Sequence, residues 1–224
     1  MRNLKTTGMY RLRQADGFSL IEMMIVVAIS IVVSTISVMS LVPLMKAQRV
    51  TNAYNITLAA LRQARDNAVS QRTSYSVTFS SSASPNTITV SPVVNGFQGD
   101  QSTVVYTLPT DVSFMTQTQF SSMTAPDSGG GSSFGTGTRA IDFGYTAAGG
   151  TGNQSTVYFC PDGSAQSAAC AAGGYSNNWD NGVVYISRTG ELLNSRAITL
   201  WGGTGRVRGW RIYGSGSSYQ WVRQ

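Results

Sequence analysis

The pattern of hydrophobic and polar residues changes along the chain, and its first feature is a long apolar run. From Phe18 to Val42, 25 consecutive residues contain one charged side chain and neither glycine nor proline. As a helix, this run would extend about 37 Å at 1.5 Å per residue, and the hydrocarbon core of a bilayer is roughly 30 Å thick. The pattern therefore predicts a membrane-spanning helix over residues 18–42.

A helical pattern continues beyond the apolar run. Pro43 falls at its end, where we expect a kink because proline removes a backbone hydrogen bond. Apolar residues then recur at spacings of three and four, which is typical of one helix face. These residues are Ala47, Val50, Tyr54, Leu58, Leu61, Ala64 and Ala68. The sequence predicts that the helix continues to about Ser70 and packs this face on the chain's own sheet.

After Arg72 the period of the pattern becomes that of β-strands. Segments rich in β-branched and aromatic residues stand between Ser, Pro, Asn and Gly, and the glycine-rich segment 121–137 predicts a mobile loop. We expect strands at SYSVTF, NTITVSP, STVVYTL, TRAIDFGY, STVYFC, GVVYIS, AITLW and RVRGWRIYG. The predicted fold class is α+β, with one long N-terminal membrane-spanning helix packed on an antiparallel β-sheet domain.

The composition argues against catalysis. The chain has no histidine, which is the commonest general base and metal ligand. The glycine-rich segment GGTGRVRG lacks the Gly-Lys-Ser/Thr ending of a phosphate loop, and Arg208 stands where a dinucleotide-binding motif needs glycine. We therefore expect no catalytic residues, no metal site and no cofactor.

The two cysteines, Cys160 and Cys170, lie close together in the segment CPDGSAQSAAC. Disulfides persist outside the cytoplasm, so we expect one bridge that closes a small loop. In the chain-entropy picture such a loop stabilises the domain by about 3 kcal/mol. The alternative is two unpaired thiols, whereas a zinc site would need further Cys or His ligands.

A short basic segment precedes the apolar run. Residues 1–17 carry four basic side chains against one acidic one, and positive charge beside a span favours the cytoplasmic side. An ordinary secretory signal is cleaved after its apolar region, which is then lost. Here the junction between Gly17 and Phe18 stands before the apolar run. Cleavage at this junction would therefore retain the membrane helix.

The segment GFSLIEMMIVVAI resembles the processing motif of type IV prepilins and type II secretion pseudopilins. The resemblance implies that a prepilin peptidase cleaves after Gly17 and methylates the new amine of Phe18. It also implies a single pass through the bacterial inner membrane, with the domain in the periplasm or on the cell surface in a pilus. The implied segments are a leader (1–17), a transmembrane and assembly helix (18–42), its exported part (43–72) and a β-rich globular domain (73–224).

Glu22 is the one charged residue inside the apolar run. A carboxylate there costs about 2.5–3.5 kcal/mol on insertion scales, so a partner is expected. In the family, this glutamate pairs with the N-terminal amine of a neighbouring subunit, and the resemblance therefore implies a role in filament assembly. One alternative is a charge that snorkels to the membrane edge. Another is a plain single-pass protein whose N-terminus mimics a prepilin.

Two further segments, LRQARDNAVSQRTSYSVTF and GRVRGWRIY, resemble the minor pilin and pseudopilin group that includes FimT, FimU and GspH. That resemblance implies a subunit that primes or caps a filament of other pilins. The filament is either a type IV pilus or the pseudopilus of type II secretion. In the second case the subunit acts in protein export without binding DNA.

Positive charge concentrates at the C-terminus, where residues 188–224 hold six arginines against one glutamate. Arginine suits bidentate contact with phosphate, and the aromatic residues between them could stack on bases. The segment GRVR resembles a GRxR motif associated with DNA capture in FimT-like pilins. The candidates for binding double-stranded DNA in natural transformation are Arg206, Arg208 and Arg211. On a strand, the first two would share a face with Trp210, and the alternative is a solvated strand face.

Overall fold

The computed structural model describes residues 17–94, 97–98, 103–128, 134–146, 152–170, 179–216 and 218–224. Of the predicted leader, all but Gly17 lies outside the described residues. The chain divides into two compact units, residues 1–44 and 45–224.

In the first unit, the described residues from Leu20 onward belong to helix α1, which runs over Leu20–Gln71. Its apolar side chains, from Leu20 to Leu44, are exposed, and by length and composition the helix can cross a membrane. Hydroxyl groups within it donate to the carbonyl four residues earlier, for example Ser30 Oγ to Val26 O at 2.7 Å. These side chains therefore need no partner from outside the helix, as a span in lipid requires. Pro43 lies inside α1 and does not end it.

In the second unit, α1 buries one face in the domain. The buried residues are Val50, Ala53, Tyr54, Thr57, Ala60, Leu61, Ala64 and Ala68. The predicted spacing of three and four is confirmed. Ala47 and Leu58 are only half-buried, and Ala53 and Ala60 are also buried on this face. The helix ends at Gln71, one residue beyond the prediction, and Arg72 follows with φ 53°, a left-handed conformation common after helix ends.

The domain contains two six-stranded sheets rather than the single sheet that the sequence predicts, and the described pairings within both are antiparallel. The first sheet comprises β1 (Ser74–Ser80), β2 (Thr87–Val94), β3 (Phe97–Gln98), β4 (Val104–Thr107), β7 (Thr156–Phe159) and β8 (Ala165–Gln166). Its order is β3-β2-β1-β7-β8, and β4 also pairs with β2.

The second sheet comprises β5 (Ser113–Phe114), β6 (Ile141–Thr146), β9 (Asp180–Ser187), β10 (Arg196–Trp201), β11 (Arg206–Ser215) and β12 (Ser218–Arg223). Its order is β12-β11-β10-β9-β5, and β6 also pairs with β9. Short 3-10 helices lie at Phe120–Ser122 and Leu192–Asn194. All eight predicted strands are present, and the α+β class is confirmed.

The two faces of the second sheet pack differently. One face joins α1 and the first sheet in the main core, through Val184, Ile198 and Leu200 among others. The opposite face, which we call the outer face, carries a smaller cluster of Phe120, Val183, Tyr185, Ala197 and Ile212. Because side chains alternate along a strand, the even-numbered residues of β11 from Arg206 to Ile212 belong to the outer face.

Cys160 and Cys170 form the predicted disulfide, with an S–S distance of 2.03 Å. The loop that it closes contacts α1, because Arg65 Nε donates to the carbonyl oxygens of Gly163 (3.4 Å) and Thr204 (3.2 Å). One helix side chain thereby joins the disulfide loop to the turn between β10 and β11.

Candidate functional site

The predicted processing junction lies just before the first turn of α1. Gly17 and Phe18 precede the helix, and Phe18 is 77% exposed. Ser19 accepts hydrogen bonds at its carbonyl from the amides of Glu22 (3.0 Å) and Met23 (3.2 Å) and so begins the helix. The bond between Gly17 and Phe18 is therefore outside the helical hydrogen bonding and open to a protease.

Glu22 lies in the first turn of α1 with its side chain exposed. Among the residues that the structure describes, no basic group forms an ion pair with it. The adjacent exposed side chains are apolar, including Ile21, Met23 and Ile25. An unpaired carboxylate on an apolar helix favours a partner from outside the chain, since lipid offers none.

The structure does not bring the three candidate arginines to one surface. Arg206 and Arg208 lie on the outer face of the second sheet, and Arg211 projects from the opposite face of the same strand. Arg206 is exposed and forms no ion pair within the described ranges. Of the three, Arg206 alone is thus both accessible and uncompensated on the outer face.

Arg208 is held by Asp127, a residue that the sequence analysis missed. Its Nη1 lies 2.6 Å from Asp127 Oδ1, and the Asp127 side chain is 7% exposed. Asp127 Oδ2 accepts from Trp201 Nε1 at 2.6 Å and Thr199 Oγ1 at 3.0 Å. The Arg208 guanidinium also lies over the Trp201 ring, 5.2 Å from its centroid. The charge of Arg208 is therefore compensated within the chain.

Asp127 belongs to the segment predicted to be a mobile loop, residues 121–137. Its φ of 65° is left-handed, and Phe134 is fully buried with its ring 4.9 Å from that of Trp201. The described parts of this segment therefore pack against the outer face, and residues 129–133 lie outside the described residues. Nothing local in the sequence distinguishes this aspartate from a solvated turn residue.

Arg211 is paired across the strands with Arg196, which is 6% exposed. Arg196 Nη1 donates to the carbonyl oxygens of Asn194 (3.0 Å) and Ser195 (3.3 Å). Burial lowers the pKa of Arg196, and the charge of Arg211 lowers that pKa further. Arg211 stacks on the Tyr213 ring at 5.2 Å. These two arginines are structural parts of the helix-facing side.

A cleft of about 590 Å³ lies beside Arg206. It is bordered by Arg62, Arg65 and Asp66 of α1 and by the residues from Thr204 to Arg208. Gly205, with φ 58°, lets this turn approach the disulfide loop, since a Cβ there would collide with the Gly163 carbonyl oxygen. Four arginines thus border one cleft: Arg62, Arg65, Arg206 and Arg208, of which Arg208 is paired with Asp127. The helix pair could not be assigned to the cleft from the sequence.

The comparisons with known proteins concern the N-terminus. The family profile of the prokaryotic N-terminal methylation motif matches residues 12–38, which include Gly17, Phe18 and Glu22. The N-terminus therefore carries a type IV prepilin-like methylation motif. The motif implies processing by prepilin peptidase, membrane anchoring and interaction with other pilin-type subunits. Neither a curated protein nor a solved structure matches the chain.

Proposed function

We propose that this prepilin-like chain is a minor pilin or pseudopilin of the FimT, FimU and GspH type. In this role it takes part in assembling or priming a type IV pilus or a type II secretion pseudopilus. The mature chain begins at Phe18 and crosses the inner membrane once, with the domain in the periplasm. The observation that carries the proposal is Glu22, exposed and unpaired among the described residues, within the methylation motif.

Assembly would supply the partner that Glu22 lacks. Cleavage after Gly17 creates a positively charged amine at Phe18, one helical turn from Glu22. When two such helices pack in the membrane, the amine of one can lie beside the carboxylate of the other. Because a lone carboxylate costs about 2.5–3.5 kcal/mol in a span, pairing favours the filament over the free subunit.

The domain supports a minor rather than a shaft-building subunit. Major pilins tend to end in a cysteine-bounded loop, whereas here β9, β10, β11 and β12 follow Cys170. The disulfide therefore lies within the domain, before its last four strands, rather than at the end of the chain order. The filament in which the chain is recovered, pilus or pseudopilus, is an outcome of the test below.

The test is the recovery of the chain in isolated filaments made by cells that express its neighbouring genes. We expect Glu22→Val to be cleaved normally but to be depleted from filaments at least tenfold. Asp66→Asn is the matched control, because Asp66 is an exposed carboxylate of the same helix outside the apolar run. Equal recovery of Glu22→Val and the control would contradict the assembly role.

A second candidate function is DNA binding, and the observation that favours it is the cleft bordered by Arg206, Arg62 and Arg65. Three arginines there could contact adjacent phosphates, so binding would be independent of sequence and would weaken strongly with salt. The GRxR resemblance assigns this role to Arg208 as well, and Arg211 is the third candidate. Because Arg208 is paired with Asp127 and Arg211 lies on the helix-facing side, we expect Arg206 to contribute most.

The DNA test uses the full chain in detergent and a double-stranded oligonucleotide at two salt concentrations. We expect Arg206→Gln to abolish binding, while Arg211→Gln, on the opposite face, leaves it unchanged. Absence of binding by the wild-type chain at low salt would leave the pilin or pseudopilin role without DNA capture.

A further inference from the structure

The outer face of the second sheet carries an aromatic groove. It is bordered by Trp201 of β10, Trp210 of β11, and Tyr219 and Trp221 of β12, with the segment 124–128 on the remaining side. Its volume is about 650 Å³, within the range of roughly 300–1,000 Å³ that is typical of small-molecule sites. The four rings are half-buried, so part of each faces solvent.

The rings are fixed before any ligand arrives. Trp201 donates its indole N–H to Asp127 Oδ2 at 2.6 Å, and Trp210 donates to Thr199 Oγ1 at 2.9 Å. The Trp221 ring lies 5.1 Å from that of Phe120 and 5.6 Å from that of Tyr185. Binding of a ligand that stacks here would therefore cost little conformational entropy, because the side chains are already ordered.

The groove carries little net charge. Asp127 and Arg208 are the ionised side chains among its described lining residues, and they form an ion pair with each other. A phosphate-bearing ligand would find no uncompensated cation in it.

We propose that this groove binds carbohydrate, in the form of a chain of uncharged hexopyranose rings. The C–H faces of such rings are apolar and stack on indole and phenol rings, which are themselves apolar with a polar edge. Their hydroxyl groups can form hydrogen bonds with polar groups of the groove, such as the Tyr219 hydroxyl. The site goes beyond the assembly role and gives the exported domain a ligand of its own.

The binding test uses the full chain in lauryldimethylamine oxide, a detergent without a sugar headgroup. Cellotetraose and chitotetraose are titrated to roughly 10 mM while tryptophan emission and the thermal midpoint are recorded. Three of the four tryptophans in the chain border the groove, so emission reports on it directly. We expect a saturable emission change and a raised midpoint with at least one sugar.

The variant test compares two tyrosines of the same hairpin. Tyr219→Ala removes a ring from the groove and should weaken sugar binding about threefold to tenfold. Tyr213→Ala removes a ring that is 51% exposed on the opposite face, and it should bind as the wild type does. If Tyr219→Ala fails to fold, stabilisation of the wild-type chain by the sugars decides the question.

Three outcomes would overturn the proposal. The first is no saturable change of the wild-type chain with either sugar. The second is equal weakening, or no weakening, in the two tyrosine variants. The third is an emission change produced by an oligothymidylate but by neither sugar, which would make the groove a nucleic-acid site.

Discussion

Asp127 and Arg208 are 81 positions apart in the chain, yet their side chains form an ion pair at 2.6 Å on the outer face of the second sheet. The same carboxylate also accepts hydrogen bonds from Trp201 Nε1 and Thr199 Oγ1. One residue of the segment 121–128 thus connects that segment with β10 and β11. Because Asp127 compensates the charge of Arg208, this arginine is not available to an anionic ligand.

We expect Asp127→Ala to destabilise the domain by about 2–4 kcal/mol, because it leaves a partly buried guanidinium and a tryptophan N–H without their acceptor. The measurement is the midpoint of denaturant unfolding. Arg49→Gln is the matched control, since its arginine is 50% exposed and its partner Asp111 keeps a second ion pair with Arg188 at 3.1 Å. That control should change stability by at most about 0.5 kcal/mol. Equal effects would contradict the role assigned to Asp127.

Alanine substitutions at Gly205 and Gly190 test how closely the turn between β10 and β11 approaches the disulfide loop. Both have a positive φ, 58° and 76°, but a Cβ at Gly205 meets the Gly163 carbonyl oxygen and one at Gly190 meets nothing within 4 Å. Gly190→Ala should cost about 1 kcal/mol of backbone strain. Gly205→Ala should cost at least about 1 kcal/mol more, measured by thermal unfolding, because it adds a steric clash. Similar losses in the two variants would mean that the turn can move away from the disulfide loop.

Reduction of the Cys160–Cys170 bridge should destabilise the domain. The bridge closes a short loop with a sequence separation of 10, so the chain-entropy picture gives a loss of about 3 kcal/mol. Thermal unfolding with and without reductant measures it. The Cys160→Ser/Cys170→Ser variant should unfold at the lower temperature in both buffers, which separates loss of the bridge from other effects of the reductant.

Alkaline pH should destabilise the domain through Tyr145. Burial, and the hydrogen bond that its hydroxyl donates to Asp142 Oδ2 at 2.7 Å, raise the pKa of Tyr145 to about 12. The unfolded chain therefore loses this proton near pH 10 while the folded chain keeps it. Stability should be unaffected by this group below about pH 10 and should fall between about pH 10 and 12, by at most roughly 1.4 kcal/mol per pH unit.

Comparison with Tyr145→Phe isolates that contribution, because phenylalanine keeps the ring and removes the proton. The variant should lose less stability than the wild type between about pH 10 and 12, whereas Tyr213→Phe, an exposed ring on β11, should follow the wild type. The same slope in all three proteins would show that Tyr145 is not responsible.

Features set by local periodicity were predictable from the sequence. The end of α1 and the eight predicted strands follow from spacings of three to four and of two. Strand β12 was missed because SYQWVR, after a glycine- and serine-rich turn, contributes no fully buried residue and lacks a strong apolar alternation. The division into two sheets depends on which strands pair, which no local pattern specifies.

The candidate arginines show the same limit. Strand alternation alone would have separated Arg211 from Arg206 and Arg208, since an odd separation changes the face. The compensation of Arg208 by Asp127 could not be predicted, because it depends on a contact between distant segments. The position of Arg62 and Arg65 beside Arg206 could not be predicted either, because it also depends on a contact between distant segments.

The most direct test of the central claim is mass spectrometry of the N-terminus of the chain isolated from membranes. The account predicts a mature chain that begins at an N-methylated Phe18, and a Gly17→Val variant that is not cleaved. A chain that retains Met1, or one cleaved after the apolar run, would contradict it.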